Sequence, residues 1–301
     1  MGILKFAGID IGTNAARLFV ANIIENSNDY SKFAIIKSSL VRVPIRLGED
    51  AFTIGELTGS SIKKLTLVME SFKRIIEVSD VIKYRACATS ALREVTNGEQ
   101  VTDQIRLHTN INIEIISGEE EAKLLYFANI KFVLKPQKHY LSVDLGGGSL
   151  EFTLFDHKQI KLSKSFKVGT IRALCNKIDH FEWDHLKEWS AQLAYLYKPL
   201  ELIGSGGNIN KIAKLLGYDQ SKPITEKSLT KFYDSISKLS YEDRMITYQL
   251  SPDRADVIVP ATETFLKIMQ YTGIKEIKVP VFGLADGIVV SEYRKFRQLT
   301  I

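Results

Sequence analysis

The first 45 residues alternate short apolar runs with polar breaks, the pattern of strands joined by turns. KFAGIDIG (5–12), ARLFVANII (16–24) and FAIIKSSLVRVPI (33–45) are rich in β-branched and aromatic residues, with the polar tip ENSNDY (25–30) between the last two. Together they predict a meander. The spacing then changes: in SIKKLTLVMESFKRIIEVSDV the residues Ile62, Leu65, Met69, Phe72 and Ile76 recur every three or four positions, which predicts an amphipathic helix packed on that sheet. KYRACATS reads as a strand, residues 99 to 108 as a short helix, INIEIIS as an alternating strand and Glu119 to Leu134 as a helix.

The strand pattern restarts with HYLSVDLG (139–146), SLEFTLFDH (149–157) and QIKLSKSFKVG (159–169), followed by helices from Thr170 onward. Superposing Asp10 on Asp144, 134 positions later, pairs AGIDIGTNAARLFV with LSVDLGGGSLEFTL. An internal repeat on this scale predicts two similar α/β halves, each opening with a hairpin whose turn carries Asp and Gly. A helix around FEWDHLKEWSAQLAYLY stops at Lys198-Pro199, and a strand then runs into GSGGNINKIAKLL, where Asn208 is the expected helix cap. A last apolar strand meets GLADG, and a closing helix begins near Asp286.

Composition narrows the class without naming a function. The chain has 301 residues, 45% hydrophobic and 25% charged, enough for two domains of ordinary size and with no disordered tract. A formal charge of +5 favours an anionic partner but falls short of a nucleic-acid signature. Cys87 and Cys175 have no zinc spacing and read as thiols in a reducing compartment. No apolar run is long enough to cross a membrane, and MGILKFAGIDIG carries no secretory pattern, so a cytoplasmic protein is expected.

Four loops share one theme: DIGTN (10–14), DLGGGS (144–149), GSGGN (204–208) and GLADG (283–287) each follow an apolar strand. Alone, the triple glycine fits a tight hairpin as well as a cradle of backbone amides for phosphate. In two halves flanking a cleft, the amides and the hydroxyls of Thr13, Ser149 and Ser205 would hold phosphate, and Asp10 and Asp144 would be hard ligands for Mg²⁺. In ISGEEEAKLL, Ser117 and Glu120 have the spacing of a capping box and Glu119 favours the helix dipole, while Glu121 is either a solvated residue or a general base. Glu151 sits in a strand where an apolar or hydroxyl residue is expected, so it needs a partner. Arg17 and Arg93 suit phosphate oxygens or surface ion pairs. Lys158, Lys161, Lys164 and Lys167 form either a basic track or an edge strand protected against aggregation.

GIDIGTNAARL, ATSALREVTN, IEIISGEEEAKL, VDLGGGSLEF, KVGTIRAL, GSGGNINKIAKL, RADVIVPA and GLADGI, in this order, resemble the motifs of the Ppx/GppA phosphatases, exopolyphosphatases and guanosine pentaphosphate phosphohydrolases. The resemblance runs from about residue 6 to about 295. It implies an actin-like ATPase fold of two ribonuclease-H-like domains around a central cleft, here residues 1–124 with the returning helix 285–301, and residues 125–284. It further implies Mg²⁺-dependent removal of terminal phosphate from inorganic polyphosphate or pppGpp by a cytoplasmic homodimer.

Carried over residue by residue, Glu121 takes the place of the catalytic glutamate, Asp144 and Glu151 those of the acids in the second glycine motif, and Arg93 that of a phosphate-binding arginine. With these, the expected phosphate contacts are Thr13, Asn14, Arg17, Gly146, Gly147, Gly148, Ser149, Gly206 and Gly207. The chain departs from the family pattern at Thr13-Asn14-Ala15, Gly206-Gly207-Asn208 and Ala285-Asp286, where Ser-Asn-Ser, Ser-Gly-Thr and Arg-Glu are usual. Those departures put substrate preference in question more than catalysis. An ATP-dependent small-molecule kinase of the same fold, or a polyphosphate or nucleotide sensor, are the rival readings.

Overall fold

A computed structural model describes residues 3–26, 29–130, 134–218 and 222–299. The tip of ENSNDY and the end of the helix expected to reach Leu134 lie partly outside the described residues. The chain divides into two compact units, Met1–Asn129 with Gly283–Ile301, and Ile130–Phe282. Among the described residues no helix is long and apolar enough to cross a membrane.

The first unit holds β1 (Ile3–Ile11), β2 (Ala15–Asn26), β3 (Asp29–Pro44), β4 (Lys83–Ala88) and β5 (Ile113–Ile115), ordered β3-β2-β1-β4-β5. β1 is antiparallel to β2 and parallel to β4. The second unit holds β6 (His139–Leu145), β7 (Leu150–Asp156), β8 (Gln159–Phe166), β9 (Leu200–Ser205), β10 (Ile224–Thr225) and β11 (Glu276–Lys278). Its sheet runs β10-β11-β9-β6-β7-β8, with β6 antiparallel to β7 and parallel to β9. Apart from the short β10 added at one edge, the second order reproduces the first. Both sheets are ribonuclease-H-like, and the duplicated arrangement is that of the actin-like ATPase fold.

In the first unit the predicted stripe is realised in helix Gly59–Val78, where Leu65, Met69, Phe72 and Ile76 are buried and Ile62 is half-buried. On one face of the sheet, Cys87 and Ile116 pack with Leu124 and Leu125 of helix Gly118–Leu125 and with Leu284 and Ile288 of the closing helix Leu284–Phe296. Helix Gly118–Leu125 passes into a π-helical segment, Tyr126–Ile130, whose Phe127 lies beneath the Arg294 guanidinium at 5.8 Å. The closing helix approaches closely at two glycines. A Cβ at Gly8 would stand 2.5 Å from the Ala285 carbonyl oxygen, and one at Gly287 would overlap the Leu124 backbone.

Because the obstacle at Gly287 is backbone, Gly287→Ala must push apart the closing helix and helix Gly118–Leu125. A loss of about 1–3 kcal/mol is expected from such overpacking. Urea unfolding checks it, with Gly59→Ala as the control, since nothing lies within 4 Å of a Cβ there.

The second unit's core lines one face of its sheet. Leu141, Val143, Phe152, Leu154 and Leu202 are buried together with residues of helices His180–Leu196, Gly207–Leu215, Glu226–Ile236 and Ile258–Thr272. Successive strand residues point to opposite faces, so Ser142, Asp144, Glu151 and Thr153 share the other one. Strand alternation alone therefore gathers the polar residues of β6 and β7 into one row.

Candidate active site

In the second unit, cross-strand register sets four polar residues in line: Asp144 faces Glu151 on β7 and Ser205 on β9, and Glu151 faces Ser165 on β8. Hydroxyls close both ends of the rung. Ser205 Oγ donates to Asp144 Oδ2 at 3.2 Å, and Ser165 Oγ donates to Glu151 Oε1 at 3.2 Å. Glu151 is only 5% exposed. Two carboxylates directly opposite one another repel, and burial removes the water that would screen them. Hard oxygen donors so placed fit a divalent cation such as Mg²⁺, which takes one or two carboxylates and keeps several waters. Among the described residues no group of three or more His, Cys, Asp or Glu is placed to hold a metal ion, so water would complete such a shell.

The triple-glycine turn sits beside this rung and is anchored by its carbonyls. Thr170 N–H donates to Gly146 O at 3.1 Å, Ile171 N–H to Gly147 O at 2.8 Å and Arg172 Nε to Gly148 O at 2.8 Å. The oxygens that would repel phosphate are thus bound to the start of helix Thr170–Leu174. Gly169 allows this approach, because a Cβ there would lie 2.5 Å from the Gly147 carbonyl carbon. Arg172, buried at 7% exposure, is a contributor that the sequence reading missed. An arginine among the apolar residues that end KVGTIRAL was its only signal.

The second glycine turn departs from expectation. The cap of helix Gly207–Leu215 is Gly206 at φ 87°, and Asn208 lies inside the first turn. Asn208 instead bridges: its Nδ2 donates to Leu145 O at 2.8 Å, and its Oδ1 accepts from Arg254 Nη1 at 3.1 Å. Asn208 therefore ties the end of β6 to RADVIVPA. A Cβ at Gly206 would collide with the Asp144 carboxylate. The lysines of β8 are not a uniform track either, since Lys164 Nζ sits 2.9 Å from His185 Nε2 and 5.0 Å from the Phe166 ring centroid.

In the first unit the equivalent rung inverts the charge. Asp10 faces Arg17 on β2, the same repeat position as Glu151, and Arg17 faces Arg42 on β3. Arg17 Nη1 donates to Asp10 Oδ2 at 2.6 Å, so the cation beside Asp10 is a guanidinium. On the other side Asp10 faces Cys87, whose thiol burial pushes up to about 12. In the DIGTN turn, the Thr13 and Ser90 hydroxyls are 2.9 Å apart and buried, joining β1 to the start of helix Ser90–Glu94. The Asn14 carbonyl accepts from Ile45 and Arg46 N–H at 3.1 Å each, which anchors the turn to the end of the meander.

Arg93 and Glu121 come together in the same unit. Arg93 Nη1 donates to Ile116 O at 2.6 Å and lies 3.9 Å from Glu121 Oε2, with the Glu121 side chain 12% exposed. Glu121 is therefore turned inward, not onto a solvated face. The capping box forms by half: Ser117 Oγ accepts from Glu120 N–H at 3.2 Å, while the Glu120 carboxylate binds Arg85 Nη2 at 2.7 Å. Asp286 heads the closing helix and accepts from Gly283 N–H at 3.0 Å. Burial raises its carboxyl above the usual range, against the pull of that bond and of Arg17.

A folded-state pKa above the unfolded value means that the ionised form is disfavoured in the native state. That cost is absent below the unfolded pKa and full above the folded one. Asp286→Asn keeps an acceptor for Gly283 and removes the charge. It is expected to raise the unfolding temperature at pH 7, with the gain shrinking as the pH is lowered, as calorimetry would show.

The duplicated ribonuclease-H-like sheets define the class: a protein of the actin-like ATPase fold. The sequence pattern of the Ppx/GppA phosphatase family matches residues 23–296, and the chain belongs to that family. Similar to it is a bifunctional 3-dehydroquinate synthase/phosphatase of Fusobacterium nucleatum, 30% identical over 95% of the chain, which spans only 44% of that protein's length. Exopolyphosphatase 1 of Mycobacterium tuberculosis is 23% identical, with 95% of the chain and 88% of the relative covered. A guanosine-5'-triphosphate,3'-diphosphate pyrophosphatase of Aeromonas hydrophila is 23% identical over 94% of the chain and 58% of its own length. The crystal structure of the Aquifex aeolicus family member superposes with a TM-score of 0.76 at 27% identity, covering 98% of this chain and 99% of that one.

Proposed function

We propose that this protein is a Mg²⁺-dependent hydrolase that removes the terminal orthophosphate from a linear phosphoanhydride, either inorganic polyphosphate or guanosine pentaphosphate. The observation that carries this reading is the Asp144–Glu151 pair, two acids in direct register beside a glycine turn whose carbonyls are tied away. Relatives that act on polyphosphate or on pppGpp support the substrate class.

In the proposed reaction, water attacks the terminal phosphorus in line and the bridging P–O bond breaks. Orthophosphate and a chain one phosphate shorter result. Glu121 orients the water and accepts its proton. Asp144 and Glu151 would hold Mg²⁺, which would supply charge neutralisation at the phosphoryl oxygens. Arg93 in the first unit and the glycine-turn amides in the second each offer donors that match phosphoryl oxygens, as guanidinium forks and backbone N–H groups do. Asp10 acts with Arg17, keeping that guanidinium directed along the end of β1.

Phosphate release in Mg²⁺, measured in parallel with polyphosphate, pppGpp and ATP, tests the reading. Release from polyphosphate or pppGpp exceeding that from ATP supports it. A protein that binds these ligands and releases nothing would be a sensor instead.

A further inference from the structure

Arg85 stands in β4 at a place where an apolar side chain would be expected, and it is 9% exposed. Its guanidinium is divided between two partners. Nε reaches Glu114 Oε1 and Oε2 at 3.2 and 3.1 Å, and Nη2 reaches Glu114 Oε2 at 2.6 Å. The same Nη2 meets Glu120 Oε1 at 2.7 Å. Glu114 belongs to the neighbouring strand β5, whereas Glu120 belongs to helix Gly118–Leu125, one residue before Glu121. One buried cation therefore fastens the first turn of that helix to the sheet. Consecutive helix residues are fixed about 100° apart around the axis, so a rotation that frees Glu120 also swings Glu121.

We propose that Arg85 is a positioning residue: through Glu120 it sets the rotation of helix Gly118–Leu125, and so the direction from which Glu121 meets the water. This rests on the reading of Glu121 as the group that handles water. The two carboxylates of Arg85 separate this role from a merely structural one, because Glu114 serves only the sheet while Glu120 reports on the helix.

The test compares Arg85→Gln, Glu120→Gln, Glu114→Gln, Arg85→Lys and the Arg85→Gln/Glu120→Gln double variant. Steady-state kinetics use inorganic polyphosphate with Mg²⁺, and amide exchange of residues 118–125 is followed in the protein without substrate. Arg85→Gln and Glu120→Gln are each expected to lower kcat about ten-fold with KM nearly unchanged, the cost of sub-ångström misplacement. Both should speed exchange in the helix. The double variant should fall no further than either single one, and Arg85→Lys should recover part of the loss. Glu114→Gln should leave kcat and helix exchange as in the unsubstituted protein, even where it lowers stability.

Losses that add in the double variant, or Glu114→Gln matching Arg85→Gln, would overturn the proposal. Unchanged helix exchange in Arg85→Gln would do the same. Full turnover in Glu121→Gln would instead remove the reading of Glu121, and exchange would still judge the Arg85–Glu120 tie.

Discussion

Glu121→Gln is expected to lower the rate of phosphate release by about 10²- to 10⁴-fold, the usual weight of a positioned proton acceptor. The substitution keeps shape and hydrogen-bonding capacity but removes the carboxylate that takes the proton. Arg93, 3.9 Å away, keeps its bond to Ile116 O, so binding and fold should persist. KM and the unfolding temperature are the controls. A variant that releases phosphate at near-normal rates would take Glu121 out of the mechanism, whereas a fall in stability matching the fall in rate would make it a structural residue.

The second large effect is expected at Gly206. Its φ of 87° is a region where glycine is at ease and other residues are strained, and a Cβ would collide with the Asp144 carboxylate. Asp144 is short and already bonded by Ser205, so it can yield only by leaving its line with Glu151. Gly206→Ala should therefore lose divalent-cation binding and at least about 10²-fold in turnover, while strain at this single φ costs only about 1–3 kcal/mol of stability. Titration with Mn²⁺ followed by electron paramagnetic resonance reads the binding directly. Unchanged Mn²⁺ affinity would place the cation away from Asp144.

How much of this was legible in the sequence depends on how local each feature is. The duplication was legible because strand, Asp, Gly turn and strand are contiguous in both halves. The inverted charge was present in the same alignment, since Arg17 and Glu151 occupy one repeat position. Only the strand register shows that each stands directly opposite its aspartate. Only the Ser117 half of the Glu120 capping box forms, because the box is a local rule whereas the carboxylate's partner Arg85 lies 35 residues away in sequence. An arginine inside the covered strand KYRACATS was the available signal. Asn208 was misplaced for a similar reason: the φ of Gly206 starts the helix two residues earlier, which frees the amide for Leu145 and Arg254.

The most direct test of the central claim, water attack at a terminal phosphorus assisted by Glu121, is hydrolysis in ¹⁸O-labelled water with Mg²⁺. One ¹⁸O atom is expected in each orthophosphate released from polyphosphate or pppGpp, with release by Glu121→Gln reduced to near background. Orthophosphate without label, label retained at the end of the shortened chain, or transfer of phosphate from ATP to an acceptor without release would contradict it.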